Sequence, residues 1–110
     1  MKIIKINPGV CGFTTEVRAV TEDGKNVKLA IKSACANVRK LAALLGGEVD
    51  GYAACFGKCG GGPVYDAARE ACRHVACPVP AGIVKCIEAE CGLALPRGVE
   101  IQFVQADAAE

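Results

Sequence analysis

Apolar positions along the chain switch between two periods, and the switches mark the elements. Ile3, Ile4 and Ile6 begin a short strand that Asn7-Pro8-Gly9 breaks. Thr14 to Thr21 is rich in Thr and Val, with Val17, Ala19 and Thr21 on one face. Glu22-Asp23-Gly24-Lys25 reads as a hairpin turn, since Asp-Gly tolerates the backbone such turns need. Val27, Leu29 and Ile31 then alternate with Lys28, Ala30 and Lys32, which predicts a strand with one wet face. From Ser33 the period lengthens. Ser33 is a cap for a helix from Ala34, and Val38, Leu41, Ala42 and Leu45 form its apolar stripe up to Gly46-Gly47. Asp50 to Pro63 is Gly-rich and reads as a loop. Val64, Ala67, Ala68, Ala71, Cys72 and Val75 line one face of a second helix; Asp66, Arg69, Glu70 and Arg73 line the other. Cys77-Pro78-Val79-Pro80 forces an extended turn, and Pro80 opens a third helix that Gly92 ends. Val99, Ile101 and Phe103 alternate with Glu100 and Gln102, which predicts a last strand, and Gln105 to Glu110 reads as a frayed tail.

The expected order is β-β-β-α-α-α-β over one domain, residues 1–110. That is an α+β fold with one sheet of about four strands and three helices on one face. At 110 residues the core is modest, and a metal or cross-link adds useful stability. Lys plus Arg is 13 against 12 Asp plus Glu, and Trp is absent. Near-neutral charge and few rings argue against nucleic acid as a partner. No apolar run is long enough for a membrane span, and Lys5 interrupts the only N-terminal one, so a cytoplasmic location without membrane partners is expected.

Cysteine changes the picture. Eight of 110 residues confine the chain to disulfide scaffolds, metal proteins or redox proteins. In a reducing cytoplasm, metal or redox work is the expectation, the hyperthermophile cytoplasm being the exception. Any one thiol is readily a small core residue, and Cys72 and Cys91 suit that role. All eight together do not. Cys11 lies between Gly9 and Gly12, where free backbone N–H groups suit an anionic sulfur or cluster. Cys35 falls at the start of the first helix, where the dipole's positive end favours a thiolate, the metal-binding form. Cys55 and Cys59 bracket Phe56-Gly57-Lys58, a spacing that chelates a metal but matches neither a zinc ribbon nor a ferredoxin run. Cys77 precedes Pro78, as cluster ligands often do. His74, the only His, is a candidate further ligand or donor to a cluster sulfur. Cys86 and Cys91 share the third helix.

Eight thiols divide into two sets of four. Cys11, Cys35 and Cys77 form one set with an unassigned fourth ligand. Cys55 and Cys59, joined by Cys72, Cys86 or Cys91, form the other.

The segments Asn7-Pro8-Gly9-Val10-Cys11-Gly12-Phe13, Ser33-Ala34-Cys35, His74-Val75-Ala76-Cys77-Pro78-Val79-Pro80-Ala81-Gly82-Ile83 and Gly92-Leu93-Ala94-Leu95-Pro96 resemble a family of small prokaryotic proteins of unknown function. The resemblance spans nearly the whole chain. It implies one compact domain and singles out Cys11, Cys35 and Cys77. It implies no mechanism.

The expected function is an iron–sulfur protein of low-oxygen settings. It holds one or two 4Fe–4S clusters and serves electron transfer or cluster storage and delivery, without being an enzyme. Its partners are then a redox or cluster-acceptor protein, and a second copy of the chain if a cluster bridges two. The competing readings are a structural zinc protein and a thiol–disulfide redox protein using Cys55 and Cys59.

Overall fold

A computed structural model describes residues 1–108. Strands β1 (Lys2–Ile6), β2 (Thr15–Thr21) and β3 (Asn26–Ser33) come first, then helix α1 (Ala36–Leu45), strand β4 (Glu48–Asp50), and helices α2 (Gly51–Cys55), α3 (Pro63–Ala71) and α4 (Val79–Glu90). A short 3-10 turn covers Ala106–Ala108.

The sheet runs β1-β2-β3-β4, antiparallel throughout. Its register sets Ile4 beside Val17 and Val17 beside Ile31, and pairs Val27 with Val49. Alternation therefore sends Ile4, Ile6, Val17, Ala19 and Val27 to one face, where the helices pack. Lys5, Arg18, Lys28 and Lys32 fall on the other, wet face. The core is closed by Val38 and Leu41 of α1, by Val64, Ala67, Ala68 and Ala71 of α3, and by Val79, Ile83 and Ile87 of α4. Gly82 lets α4 lie directly on β1, because a Cβ there would run into the Ile6 side chain.

The fold is α+β with a four-stranded sheet, as the alternation predicts, but the fourth strand is a different one. Glu48–Asp50 pairs with Asn26–Lys28 at the sheet edge, inside a stretch that reads partly as loop. Three residues are too few for a period to show. The expected strand at Val99–Phe103 does not form; its apolar side chains are exposed. The predicted loop also contains α2, capped by Asp50, whose carboxylate accepts the Tyr52 and Ala53 N–H groups at 2.9 and 3.2 Å. Of the predicted frayed tail, residues 105–108 are described and carry the 3-10 turn, while 109 and 110 lie outside the described residues.

Three helix boundaries also move. α4 starts at Val79, one residue before Pro80, with Pro78 in helical rather than extended backbone, and the other two moves involve cysteines. α1 starts at Ala36 rather than Ala34, with Cys35 as its capping residue and Ser33 still in β3. α3 stops at Ala71, so Cys72 caps its C-terminal end instead of continuing an apolar face to Val75, which is fully exposed.

A candidate cysteine site

Four chain segments converge at one end of the sheet. The first is the loop between β1 and β2. The Asn7 side-chain oxygen accepts the Gly9 N–H at 3.1 Å, and Gly9 O accepts the Gly12 N–H at 3.0 Å. Gly9 and Gly12 both adopt positive φ, which lets this loop fold tightly and leaves Cys11 exposed at its tip.

The second segment is the junction of β3 and α1. Thr15, only 1% exposed, donates its hydroxyl to Ser33 Oγ at 2.9 Å, and Ser33 Oγ accepts the Cys35 N–H at 3.1 Å. A buried threonine on the neighbouring strand thus fixes the backbone of Cys35 at the start of α1. The third segment is the end of α3, where the Cys72 N–H still reaches Ala68 O at 2.8 Å. The fourth is the turn into α4, closed by the Cys77 N–H on His74 O at 3.2 Å.

Cys11, Cys35, Cys72 and Cys77 all line one cavity of about 230 Å³, together with Phe13 and His74. A single water needs only about 10–15 Å³ by such a measure, so the space admits a group of several atoms. Cys35, Cys72 and Cys77 are half-buried. Burial pushes the Cys72 thiol up, and the neighbouring Cys77 and Cys35 sulfurs and a hydrogen bond with Cys77 push it further. Thiols crowded this way resist becoming thiolates together, unless a bound cation offsets the charge.

The other four cysteines do not assemble in the same way. Cys55 ends α2, with Sγ 4.0 Å from Val84 O. Its thiol is pushed up to about 11 by burial, then by Glu88 and Cys91. Cys91 caps α4 against Gly51, and burial, Glu90, Asp23 and Asp50 raise its thiol. Cys59 lies exposed in the loop after α2. Cys86 is 2% exposed among core residues, with Sγ 3.4 Å from Lys2 O and 3.6 Å from Val17 O, as a buried thiol donating weakly to carbonyls. The division into two sets of four therefore changes. Cys72 belongs with Cys11, Cys35 and Cys77, and Cys86 sits in the core, apart from Cys55 and Cys59. Among the described residues, no three His, Cys, Asp or Glu side chains are drawn together closely enough to hold a single ion. The four thiols ring a cavity instead of meeting at a point.

The sequence reading places Cys72 with Cys55 and Cys59, or in the core, because Val75 continues the period of α3 by one more turn.

Among the described residues no helix is long and apolar enough to cross a membrane. A family model described as a family of unknown function (DUF6951) matches residues 2–103. No curated protein and no solved structure matches the chain.

Proposed function

Since the chain belongs to DUF6951, a family that brings no activity with it, we propose from the site alone that Cys11, Cys35, Cys72 and Cys77 hold one 4Fe–4S cluster, serving electron transfer or cluster delivery. The observation that carries this reading is the convergence of four thiols, from four separate segments, on one cavity. Thiolate sulfur is the soft donor that iron–sulfur clusters take. Four donors complete a cubane's protein ligation, and a cavity ringed by thiols suits a body wider than one ion. The cluster would supply one-electron chemistry. The chain supplies ligands, a half-buried seat, and the backbone that fixes Cys35. Cys11 is the exposed member, the ligand an acceptor protein reaches first. Fully exposed Val10 and Val75 flank the site on two different loops and give a partner an apolar rim to approach.

The test is anaerobic purification followed by iron and acid-labile sulfide analysis of the wild type and of single Cys→Ser variants. The expected result is a brown protein with about four iron and four sulfide per chain. Cys72→Ser should lose iron as severely as Cys11→Ser, Cys35→Ser and Cys77→Ser, while Cys59→Ser and Cys86→Ser should keep it. A colourless protein with about one zinc would overturn the cluster in favour of a structural site. Iron that survives Cys72→Ser would overturn the ligand set.

A further inference from the structure

Residues 99–104 carry the pattern of a strand without its partners. Val99, Ile101 and Phe103 alternate with Glu100 and Gln102, so in extended backbone they share one side. All three are exposed in the folded chain, Ile101 to 89%. At the same time β1 stands at the end of the strand order, and among the described residues no strand pairs with its outer edge. Such an edge is a template for another strand. A third feature lies at the same place. A cavity of about 200 Å³ opens between β1 and α4, lined by Ile4, Cys86 and Ala89, and by Leu95 and Pro96 as the chain leaves α4.

We propose that residues 99–104 of one copy add as a fifth strand to the β1 edge of a second copy. The exchange is reciprocal and closes a two-fold dimer. The sidedness of both strands fits. Ile4 and Ile6 of β1 face the helices, while Ile3 and Lys5 face solvent. With Val99, Ile101 and Phe103 turned to the helix side, the apolar row of the sheet gains a further strand and the cavity receives an apolar side chain. Glu100 and Gln102 then fall on the wet face, beside exposed Lys5 and near Arg18 of the next strand. Lysine on an edge discourages casual pairing, and here it meets the carboxylate of the incoming strand. The occupant is a second copy: in its own chain Leu95 to Gly98 line the cavity beside β1, while the six residues that follow are exposed and form no strand with it, and the charge of Glu100 complements that of Lys5 on the edge.

Sedimentation velocity of the full chain tests this, with and without bound metal. The wild type is expected to sediment as a dimer in both states. The double variant Ile101→Glu/Phe103→Glu should be monomeric, its dissociation constant raised at least about 100-fold by two buried charges, with an unchanged circular dichroism spectrum. Cys11→Ser should remain dimeric, which separates strand exchange from a cluster bridging two chains. A monomeric wild type at micromolar concentration, a dimer that survives the double variant, or a dimer lost in Cys11→Ser would each overturn the proposal.

Discussion

Thr15 shows how one buried hydroxyl reaches a site that it does not line. Its hydroxyl donates to Ser33 Oγ, which also accepts the Cys35 N–H, so the position of the thiol that caps α1 depends on a side chain of β2. Thr15→Val keeps the shape and removes the donor. It is expected to lower stability by about 1 kcal/mol, read as a shift in the urea midpoint. Ser33→Ala should cost more, because the Cys35 N–H also loses its acceptor. The double variant should cost less than the two losses added, the sign of coupled neighbours. At this scale the sequence was only partly legible. Cys11, Cys35 and Cys77 announce themselves through Gly, a helix start and Pro. Cys72 does not, because an Ala-rich stretch resembles its own continuation and nothing local says where the helix ends. Thr15 carries no chemical mark at all; its role follows from the pairing of Thr15 with Ser33 across two strands.

Among the elements, the hairpin joining β2 to β3 is the most locally determined. Asp23 accepts the Lys25 and Asn26 N–H groups at 2.9 and 2.8 Å, the Asn26 side-chain amide at 2.8 Å and the Thr21 hydroxyl at 3.2 Å. Those bonds, led by the two backbone ones, hold its carboxyl far below the usual carboxylate range. Glu90 on α4 is lowered too: burial works against it, but the Thr21 N–H at 3.0 Å and nearby positive charge prevail. A depressed carboxyl stabilises the fold above its ordinary pKa and loses that contribution as pH falls toward the folded value. Stability should therefore decline below about pH 4. Asp23→Ala should lower the melting temperature at pH 6, and the gap to wild type should narrow at pH 3. A gap that stays constant with pH would mean the charge is irrelevant. The turn was readable because Asp-Gly acts within four residues. The three-residue β4 and five-residue α2 were not, being shorter than the periods that reveal elements. The Val99–Phe103 alternation is genuine, yet alternation fixes only sidedness; a strand also needs a partner, and no local pattern names one.

For the whole molecule, the decisive feature is that the site's thiols span most of the chain, from Cys11 through Cys35 to the close pair Cys72 and Cys77. A group bound to all four cross-links the first loop, the start of α1 and the turn before α4. By the chain-entropy argument, closing loops of this span is worth roughly 4 kcal/mol, a large share of the stability a domain of this size commands. Loss of the group should loosen the segments around residues 9–13 and 73–76 first and leave the sheet intact. Trypsin should then cut after the exposed Arg73 faster in protein stripped by a chelator than in loaded protein. Cys77→Ser should be cut at the fast rate under both conditions. Equal rates in stripped and loaded wild type would mean the group does not tie the loops. Under the proposed reading, the same four-point tie would make the lifetime of the polypeptide a function of metal supply: a copy never loaded, or stripped by oxidation, would expose Arg73 to cleavage, while a loaded copy would persist.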